Sequence, residues 1–235
     1  MSGAQRDSVD VWTPEEELPD PLPESPLAIV RAWFDEAHER EVQPNPNAFT
    51  LATVDPDGRP SGRVVLCKGL DTESGELTFY TNYRGRKSRA LDAHPYASAV
   101  FHWDTLERQI RIEGPVRKTD DATSDAYFAT RPWESKVGAW ASEQSEPLAD
   151  RDDLLAAAAE RALELGLNPM ELEPGDRSVR VPRPPHWGGW VIAFERVELW
   201  CGGPGRVHDR AEWVRELSGA TARATSVWSA TRLQP

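Results

Sequence analysis

The pattern of apolar positions predicts one helix followed by a run of strands. Near the start of the chain, apolar side chains recur at intervals of three and four, at Ile29, Val30, Trp33, Phe34 and Ala37. Ser25 supplies an N-cap before them, and Pro26 supplies a preorganised first turn. We therefore predict a helix over residues 26–41. From residue 47 the period changes to two, which is typical of strands.

This alternation continues through consecutive segments: AFTLATV, GRVVLCK, ELTFYTN, ASAVFHW and RQIRIEGPV. A D-P-D-G turn at residues 55–58 separates the first two segments. Because the connections between the segments are short, the pattern predicts an antiparallel meander.

The second half of the chain predicts helices and then further strands. An Asp-led helix ends near Arg131, Pro132 starts another helix, and residues 150–165 form a third. Residues 166–185 are rich in proline and charge and are predicted to be a loop. Beyond them, GWVIAFERVELW, RVHDRAEWVRE and SVWSATRL are again typical of strands. About eight strands with a few inserted helices favour a mainly β (α+β) fold, a closed or nearly closed antiparallel barrel.

The termini and the overall composition set the organisation and the compartment that we expect. Residues 1–24 are acidic and proline-rich, which predicts a flexible arm that is mobile or laid across a partner subunit, ahead of a single domain over residues 25–235. The chain has neither a long apolar run nor the features of a signal peptide, so we expect a cytoplasmic protein without a membrane partner.

The distribution of charge points to a small anionic ligand. The formal net charge of -12 argues against nucleic acid as a partner. Between Arg59 and Arg89, however, seven basic residues face three acidic ones, a balance that suits a small anion held in a cleft. Cys67 and Cys201 fit neither a metal-ligand nor a disulfide spacing. We expect no metal, and any redox chemistry must come from a bound cofactor.

Two segments of this basic region combine cations with ring-binding groups. Arg63 and Lys68 are an odd number of positions apart on a predicted strand, so their side chains leave opposite faces. Tyr80 and Thr81 end the next strand, and the following predicted turn carries two cations, Arg86 and Lys87. Together these residues predict a pocket for a phosphate and a ring. Further on, the amide of Gln109 can both donate to and accept from a heterocycle, although a strand Gln is more often solvent-facing.

A second anion site is predicted at the junction of two helices. Tyr127 and Arg131 are four residues apart and share a helix face. Pro132 then starts a helix whose first turn contains Ser135 and Lys136, with free backbone N–H groups. This arrangement predicts a phosphate cradle, and the alternative is an ordinary capped junction.

The C-terminal third contains glycine-rich segments beside tryptophans. In HWGGW and in the WCGGPG segment that begins at Trp200, glycine would let the backbone approach a flat ligand, and Trp200 could cover an aromatic ring. Arg206, His208 and Arg210 alternate along a predicted strand, which places an imidazole between two guanidinium groups. A single strand His is also common as a structural residue.

These segments together resemble a known family. The strings RVVLCK, FYTN, RGRKS, HWDTLERQIRIEG, YFATRP, ESKVGAWASEQS, HWGGW, ELWCGG, RVHDR and TRLQP occur in the order found in the pyridoxamine 5′-phosphate oxidase family, which are FMN-binding split β-barrel proteins. The resemblance covers nearly the whole span from about residue 25 to residue 235. It implies an antiparallel split β-barrel that forms a homodimer, with two FMN molecules at the subunit interface contacted from both chains.

The resemblance also implies roles for individual residues. By position, FMN would be bound by Arg63, Val64, Val65, Leu66, Cys67, Lys68, Tyr80, Thr81, Arg86, Lys87, Gln109, Gln144, Ser145, Trp200 and Arg210. The phosphate of a phosphorylated B6 vitamer would be held by Lys68, Tyr127, Arg131 and Ser135. The substrate's pyridine ring would be covered by Arg206, Val207 and His208.

The family reaction that this resemblance implies is an oxidation of pyridoxamine or pyridoxine 5′-phosphate to pyridoxal 5′-phosphate. Hydride leaves the exocyclic carbon of the substrate for the flavin N5, and O₂ reoxidises the flavin with formation of H₂O₂. With the amine substrate, the imine then hydrolyses to the aldehyde. We expect Arg206 to lie nearest to the reacting carbon as the catalytic residue, with His208 supporting it.

Departures from the family pattern leave alternatives open. Cys201 stands where Gln is usual, Ala211 replaces a bulkier residue, and residues 166–181 form a longer connection. One alternative is a related FMN oxidase of the phenazine-pathway type, against which the retained phosphate residues Lys68, Arg131 and Ser135 argue. The other is a non-catalytic protein that binds FMN or pyridoxal phosphate, which retention of Arg206 and His208 disfavours.

Overall fold

The computed structural model describes residues 16–218 and 223–235. In these residues the α-helices are α1 (Leu27–Glu39), α2 (Arg86–Ala93), α3 (Asp121–Ala129), α4 (Trp133–Ala141) and α5 (Arg151–Glu164). The strands are β1 (Ala48–Val54), β2 (Pro60–Leu66), β3 (Gly69–Asp71), β4 (Glu76–Asn82), β5 (Tyr96–Trp103), β6 (Arg108–Lys118), β7 (Trp187–Ala193), β8 (Arg196–Cys201), β9 (Asp209–Val214), β10 (Leu217–Ser218), β11 (Arg223–Ala224) and β12 (Ser229–Arg232). None of the described helices has the length and apolarity that crossing a membrane requires.

Ten of the strands form one curled antiparallel sheet. Its main path runs β12-β9-β8-β6-β5-β1-β2, and a branch of β3 and β4 joins it through β7. Strand β6 connects the two parts, because its residues 108–113 pair with β8 and its residues 116–118 pair with β7. The predicted fold class, a mainly β (α+β) antiparallel split β-barrel with peripheral helices, is confirmed.

A glycine allows β6 to pair with strands in both parts of the sheet. At Gly114, where the partner changes from β8 to β7, an added Cβ atom would lie 1.8 Å from the carbonyl oxygen of Ala193. No side chain fits at that distance, so the backbone between β7 and β8 lies directly against β6.

The predicted meander is wrong. Strand β1 lies between β2 and β5 in the sheet, and β4 pairs with β3 and β7 instead of continuing the order of the sequence. The chain leaves β4 through helix α2, which begins at Arg86 in the segment that we predicted to be a turn. This helix has only eight residues and a mostly polar sequence, RKSRALDA, so its apolar periodicity is too short to detect.

The main core consists of side chains from the sheet and from helix α1. Large side chains from several strands are fully buried there, among them Phe49, Phe79, Phe101, Trp103 and Trp213. A second buried cluster lies between α3, α4 and β7, and it consists of Phe128, Ala139, Val181 and Trp187. The second cluster supports the helix junction at which an anion site was predicted.

Residues 16–24, the described part of the predicted arm, lie against the sheet of the same chain. Leu18 is buried, and its backbone N–H donates to Asp209 Oδ2 at 2.7 Å. Trp213 Nε1 donates to the carbonyl oxygen of Pro23 at 2.9 Å. The rest of the predicted arm, residues 1–15, lies outside the described residues.

Candidate active site

A cleft of about 620 Å³ lies between β2, the end of β4 and the helices α2 to α4. Many of the predicted site residues line it: Arg63, Val64, Val65, Leu66, Lys68, Tyr80, Thr81, Lys87, Tyr127, Arg131, Ser135 and Gln144. Further lining residues were not predicted: Asn82, Gly138, Ala139, Ser142 and Trp187. The cleft therefore brings together the two anion sites that the sequence suggested separately.

One end of the cleft carries Lys87 and Arg63. Lys87 Nζ donates to Gln144 Oε1 at 2.6 Å and to Thr81 Oγ1 at 3.1 Å. Arg63 donates to hydroxyl and carbonyl oxygens of β1 and β2 at 2.7 to 3.1 Å. Burial lowers the pKa of Lys87 to about 8, and the charge of Arg63 adds to this shift. Among the described residues, neither cation lies within 4.0 Å of a carboxylate oxygen, so this end is suited to an anionic ligand.

The other end of the cleft carries Arg131. Its guanidinium lies 4.6 Å from the centroid of the Trp187 ring, and burial lowers its pKa. Its buried Nη1 atom has no hydrogen-bond partner among the described residues. Leaving a buried charged donor unsatisfied costs free energy, so the site favours an external acceptor such as a phosphate oxygen. Tyr127 and Ser135 line the cleft beside it, as predicted.

Stacked aromatic rings form the wall between these ends. The rings of Tyr80 and Tyr127 stack at 4.0 Å, and Trp187 stacks on Tyr80 at 5.5 Å. The glycines of HWGGW belong to strand β7 rather than to a turn. A Cβ atom on Gly189 would lie 2.8 Å from the Tyr80 ring. The glycines thus make room for the protein's own tyrosines. Trp187 was not among the predicted site residues, although the HWGGW string that contains it could have indicated it.

The structure places several predicted residues outside the cleft. Cys67 is buried in the core, where its thiol donates to the carbonyl oxygen of Gly69 at 3.2 Å and burial raises its pKa to about 11. The Arg86 side chain forms an ion pair with Asp55, while its backbone N–H donates to Ser145 Oγ at 3.2 Å. Arg86 and Ser145 are therefore adjacent to the cleft without lining it.

Residues from β6, β8 and β9 form a separate group. Gln109 lies opposite Trp200 across the β6–β8 pair, and Trp200 lies opposite Arg210 across the β8–β9 pair. The His208 ring is 4.7 Å from the Trp200 ring, and its Nδ1 accepts from the backbone N–H of Gly203 at 3.1 Å. Arg210 forms an ion pair with the buried carboxylate of Glu198.

The prediction that Arg206, His208 and Arg210 alternate on one strand is wrong. Strand β9 begins at Asp209, and Arg206 ends a 3-10 turn with a φ of 66°. The Gly-Gly-Pro-Gly sequence at residues 202–205 interrupts the strand. Arg206, Val207 and His208 do not line the cleft of their own chain.

Fold and cleft together define a split-barrel protein with a cationic, ring-lined ligand site, and comparisons with known proteins identify the family. Residues 34–165 match the family model described as pyridoxamine 5′-phosphate oxidase. Residues 187–235 match the model described as the pyridoxine 5′-phosphate oxidase C-terminal dimerisation region.

Curated relatives agree with these matches. The pyridoxine/pyridoxamine 5′-phosphate oxidase of Cupriavidus metallidurans is 46% identical over 210 residues, 89% of each chain. The protein of the same name from Rubrobacter xylanophilus is 47% identical over 210 residues, 89% of this chain and 87% of that one. The chain therefore belongs to the pyridoxamine 5′-phosphate oxidase family, and it is an oxidoreductase of that family.

Two solved structures share the fold. PhzG from Burkholderia lata 383, in complex with tetrahydrophenazine-1-carboxylic acid, has a TM-score of 0.78 and 30% identity, with 94% of this chain and 98% of that chain covered. A pyridoxamine 5′-phosphate oxidase-related, FMN binding protein from Nostoc punctiforme has a TM-score of 0.60 and 19% identity, with 88% and 96% covered.

Proposed function

We propose that this protein oxidises pyridoxamine 5′-phosphate, pyridoxine 5′-phosphate or both to pyridoxal 5′-phosphate, with O₂ as acceptor and H₂O₂ as product. The observation that carries the proposal is that one cleft contains two groups of cations that lack acidic partners among the described residues. One group suits the phosphate of FMN and the other suits the phosphate of the substrate.

The end of the cleft around Lys87 fits FMN. Lys87 and Arg63 would bind its phosphate, and the hydroxyl of Thr81 and the amide of Gln144 would donate and accept hydrogen bonds around them. When FMN is bound, it supplies the hydride-accepting ring. The protein contributes charge balance and the alignment of the two ligands.

The end of the cleft around Arg131 fits the substrate phosphate. The guanidinium can offer two parallel donors to a phosphate, and its ring neighbour Trp187 restricts its orientation. Ser135 and Tyr127 would add hydroxyl donors, and the exposed Lys68, in the connection between β2 and β3, would close the pocket.

A partner chain would complete the site. Gln109, Trp200, Arg206, His208 and Arg210 do not line the cleft of this chain, although the family pattern assigns them to the ligands. Residues 187–235 also match a dimerisation region. We therefore propose a homodimer with FMN at the interface, in which each chain contributes its Arg206 and His208 to the cleft of the other.

The direct test is turnover by the purified, FMN-loaded protein. Each vitamer phosphate is added separately, and pyridoxal 5′-phosphate, O₂ uptake and H₂O₂ are measured in the same sample. We expect one aldehyde and one peroxide for each O₂ consumed, and no second turnover under anaerobic conditions. Absence of product with both substrates would reject the proposal.

Arg131→Ala tests the substrate site independently of the cofactor site. We expect KM for pyridoxine 5′-phosphate to rise about 10- to 100-fold while FMN affinity stays unchanged, since a charge-assisted contact is worth roughly 1.5 to 3 kcal/mol. Arg151→Ala on the exposed start of α5 is the matched control and should behave as the wild type. A variant with normal KM would refute the assignment of Arg131.

The likeness to PhzG supports a second candidate, oxidation of a larger carboxylated ring. Such a substrate carries a carboxylate in place of the phosphate, and its ring system is larger than a pyridine. Comparing the wild type on tetrahydrophenazine-1-carboxylic acid and on the vitamer phosphates separates the two candidates. A protein that binds FMN but oxidises none of these compounds would be a binding protein.

A further inference from the structure

Lys136 is a buried cation that the proposed reaction does not use. It lies on α4 directly after Ser135, and only 1% of its surface is exposed. Its Nζ donates to the carbonyl oxygens of Val179 at 2.7 Å and Arg177 at 3.2 Å. Among the described residues, no carboxylate oxygen lies within 4.0 Å of it. Burying an ammonium group whose hydrogen bonds go only to backbone carbonyls costs free energy, so its presence calls for a reason.

The carbonyl groups that Lys136 binds belong to a loop segment, residues 173–181, which lies over the junction of α3 and α4. Further hydrogen bonds hold this segment to the same junction. Trp133 Nε1 donates to the carbonyl oxygen of Glu173 at 3.0 Å, and Arg177 donates to that of Thr130 at 3.0 Å. The segment ends at Val181, which is buried in the cluster beneath the cleft. The loop is thus fastened to the residues on either side of Arg131.

The charge of Lys136 also acts on the substrate end of the cleft. Burial lowers the pKa of Lys136, and Arg131 lowers it further while Asp176 opposes the shift. The two cations therefore influence each other. Because electrostatic interactions are stronger in the low-dielectric interior of a protein than in water, the buried charge of Lys136 would also attract an anion bound at Arg131.

We propose that Lys136 is a positioning residue for phosphorylated ligands: it fastens residues 173–181 to α4 and adds a buried positive charge that acts on the pocket of Arg131 and Ser135. This inference rests on the proposed function, because it takes that pocket to be the substrate phosphate site. In this role, Lys136 is a determinant of selectivity for the phosphorylated over the unphosphorylated vitamer.

The test uses the FMN-loaded protein with substitutions at one position: Lys136→Arg, Lys136→Gln and Lys136→Met. The dissociation constants of pyridoxal 5′-phosphate and of pyridoxal are measured by calorimetry, together with that of FMN. For Lys136→Met we expect about tenfold weaker binding of pyridoxal 5′-phosphate, with pyridoxal and FMN unchanged. Lys136→Arg should restore selectivity for the phosphate.

The Gln variant separates charge from tethering, because it retains an N–H donor for the loop without the charge. Binding of pyridoxal 5′-phosphate as weak as in the Met variant supports the proposal, whereas wild-type affinity overturns it. The matched control is Arg180→Gln, which removes an exposed charge from the same loop and should leave all three constants unchanged. If the Met variant does not fold, the Arg and Gln variants still decide the outcome.

Two failures can be told apart. If the wild type binds pyridoxal as well as pyridoxal 5′-phosphate, the proposed substrate site itself is wrong. If the wild type prefers the phosphorylated ligand and the Gln and Met variants retain that full preference, only the role of Lys136 is refuted. Equal weakening of both ligands would indicate a purely structural role and would also refute it.

Discussion

Lys87 shows how a single side chain couples the cleft to pH. Its ammonium is buried beside Arg63, and its hydrogen bonds go to uncharged oxygens of Thr81 and Gln144. This environment disfavours the charged form, so the pKa falls to about 8 in the ligand-free protein. A phosphate placed beside Lys87 would reverse this, because the anion stabilises the charged form.

This shift predicts the pH dependence of FMN binding. Below pH 8 Lys87 carries its charge before FMN arrives, so the dissociation constant should be nearly constant. Above pH 8 a proton must be taken up on binding, and the constant should rise by up to about tenfold per pH unit. Flavin fluorescence quenching from about pH 7 to pH 9.5 measures this. In Lys87→Arg the guanidinium stays charged, so the rise should disappear; a rise of equal size in that variant would contradict the assignment.

The same shift has an opposite consequence for the apoprotein. The pKa of Lys87 in the folded protein lies below its ordinary value of 10.5, so protonation favours the unfolded chain. The resulting cost to stability is fully present below pH 8. This cost declines as the pH rises from 8 toward 10.5, the pKa of Lys87 in the unfolded chain. The apoprotein should therefore gain stability over the pH range in which FMN affinity falls.

For single residues, the sequence predicted which side chains belong to the site better than it predicted the contacts that they make. Arg63 and Lys87 could be recognised because cations are concentrated between Arg59 and Arg89 in an acidic chain. Arg131 could be recognised because it lies at the end of a predicted helix. The ion pair of Arg86 with Asp55 could not be recognised, because its members come from different elements. Trp187 was missed for a similar reason, since its stacking on Tyr80 depends on the pairing of β4 with β7.

Among the elements, β6 has the strictest local requirement. Gly114 lies where this strand changes partner, with the carbonyl of Ala193 in the space of its missing side chain. An alanine there would push the backbone of β7 and β8 away from β6. Hydrogen bonds on both sides of the contact would be strained.

We expect Gly114→Ala to lower the free energy of unfolding by roughly 2 to 4 kcal/mol. Gly138 in α4 is the matched control, because no atom lies within 4 Å of a Cβ added there. Gly138→Ala should instead stabilise the protein by about 0.5 to 1 kcal/mol, since alanine favours a helix. Urea denaturation of both variants checks the opposite signs; similar stability of the two variants would contradict this account of β6.

Elements with a strong local signal were predicted closely. Helix α1 was expected over residues 26–41 and spans Leu27–Glu39, and α3 and α4 meet at Pro132 as predicted. Caps, prolines and periodicity are local properties of the sequence. The order of strands is not, because β1 pairs with β5 across an intervening stretch that includes α2, and this is why the meander failed.

In the whole molecule, the predicted ligand-binding residues form two sets, and only one of these sets lines the cleft of a single chain. The cleft carries Arg131, whereas Arg206 belongs to the turn before β9. A symmetric dimer would place the turn of each chain at the cleft of the other. Activity would then require an intact residue from each of two chains.

Mixing two impaired variants, with the substrate held well below the wild-type KM, tests this arrangement. Arg131→Ala and Arg206→Ala chains are unfolded and refolded together with FMN, and turnover is measured. In a heterodimer one of the two sites has both arginines, so random pairing should recover about a quarter of wild-type activity. Each variant refolded alone is the control. Recovery no greater than the sum of the two controls would show that each chain builds its own site.

The sharing of β6 between the two parts of the sheet also limits how the protein can move. Swinging one part against the other would break the backbone hydrogen bonds that β6 makes to β7 or to β8. Hinge closure, which many enzymes use to enclose a ligand, is therefore costly in this architecture. Access of ligands is therefore expected to depend on loops and side chains at the mouth of the cleft rather than on movement of the two parts of the sheet.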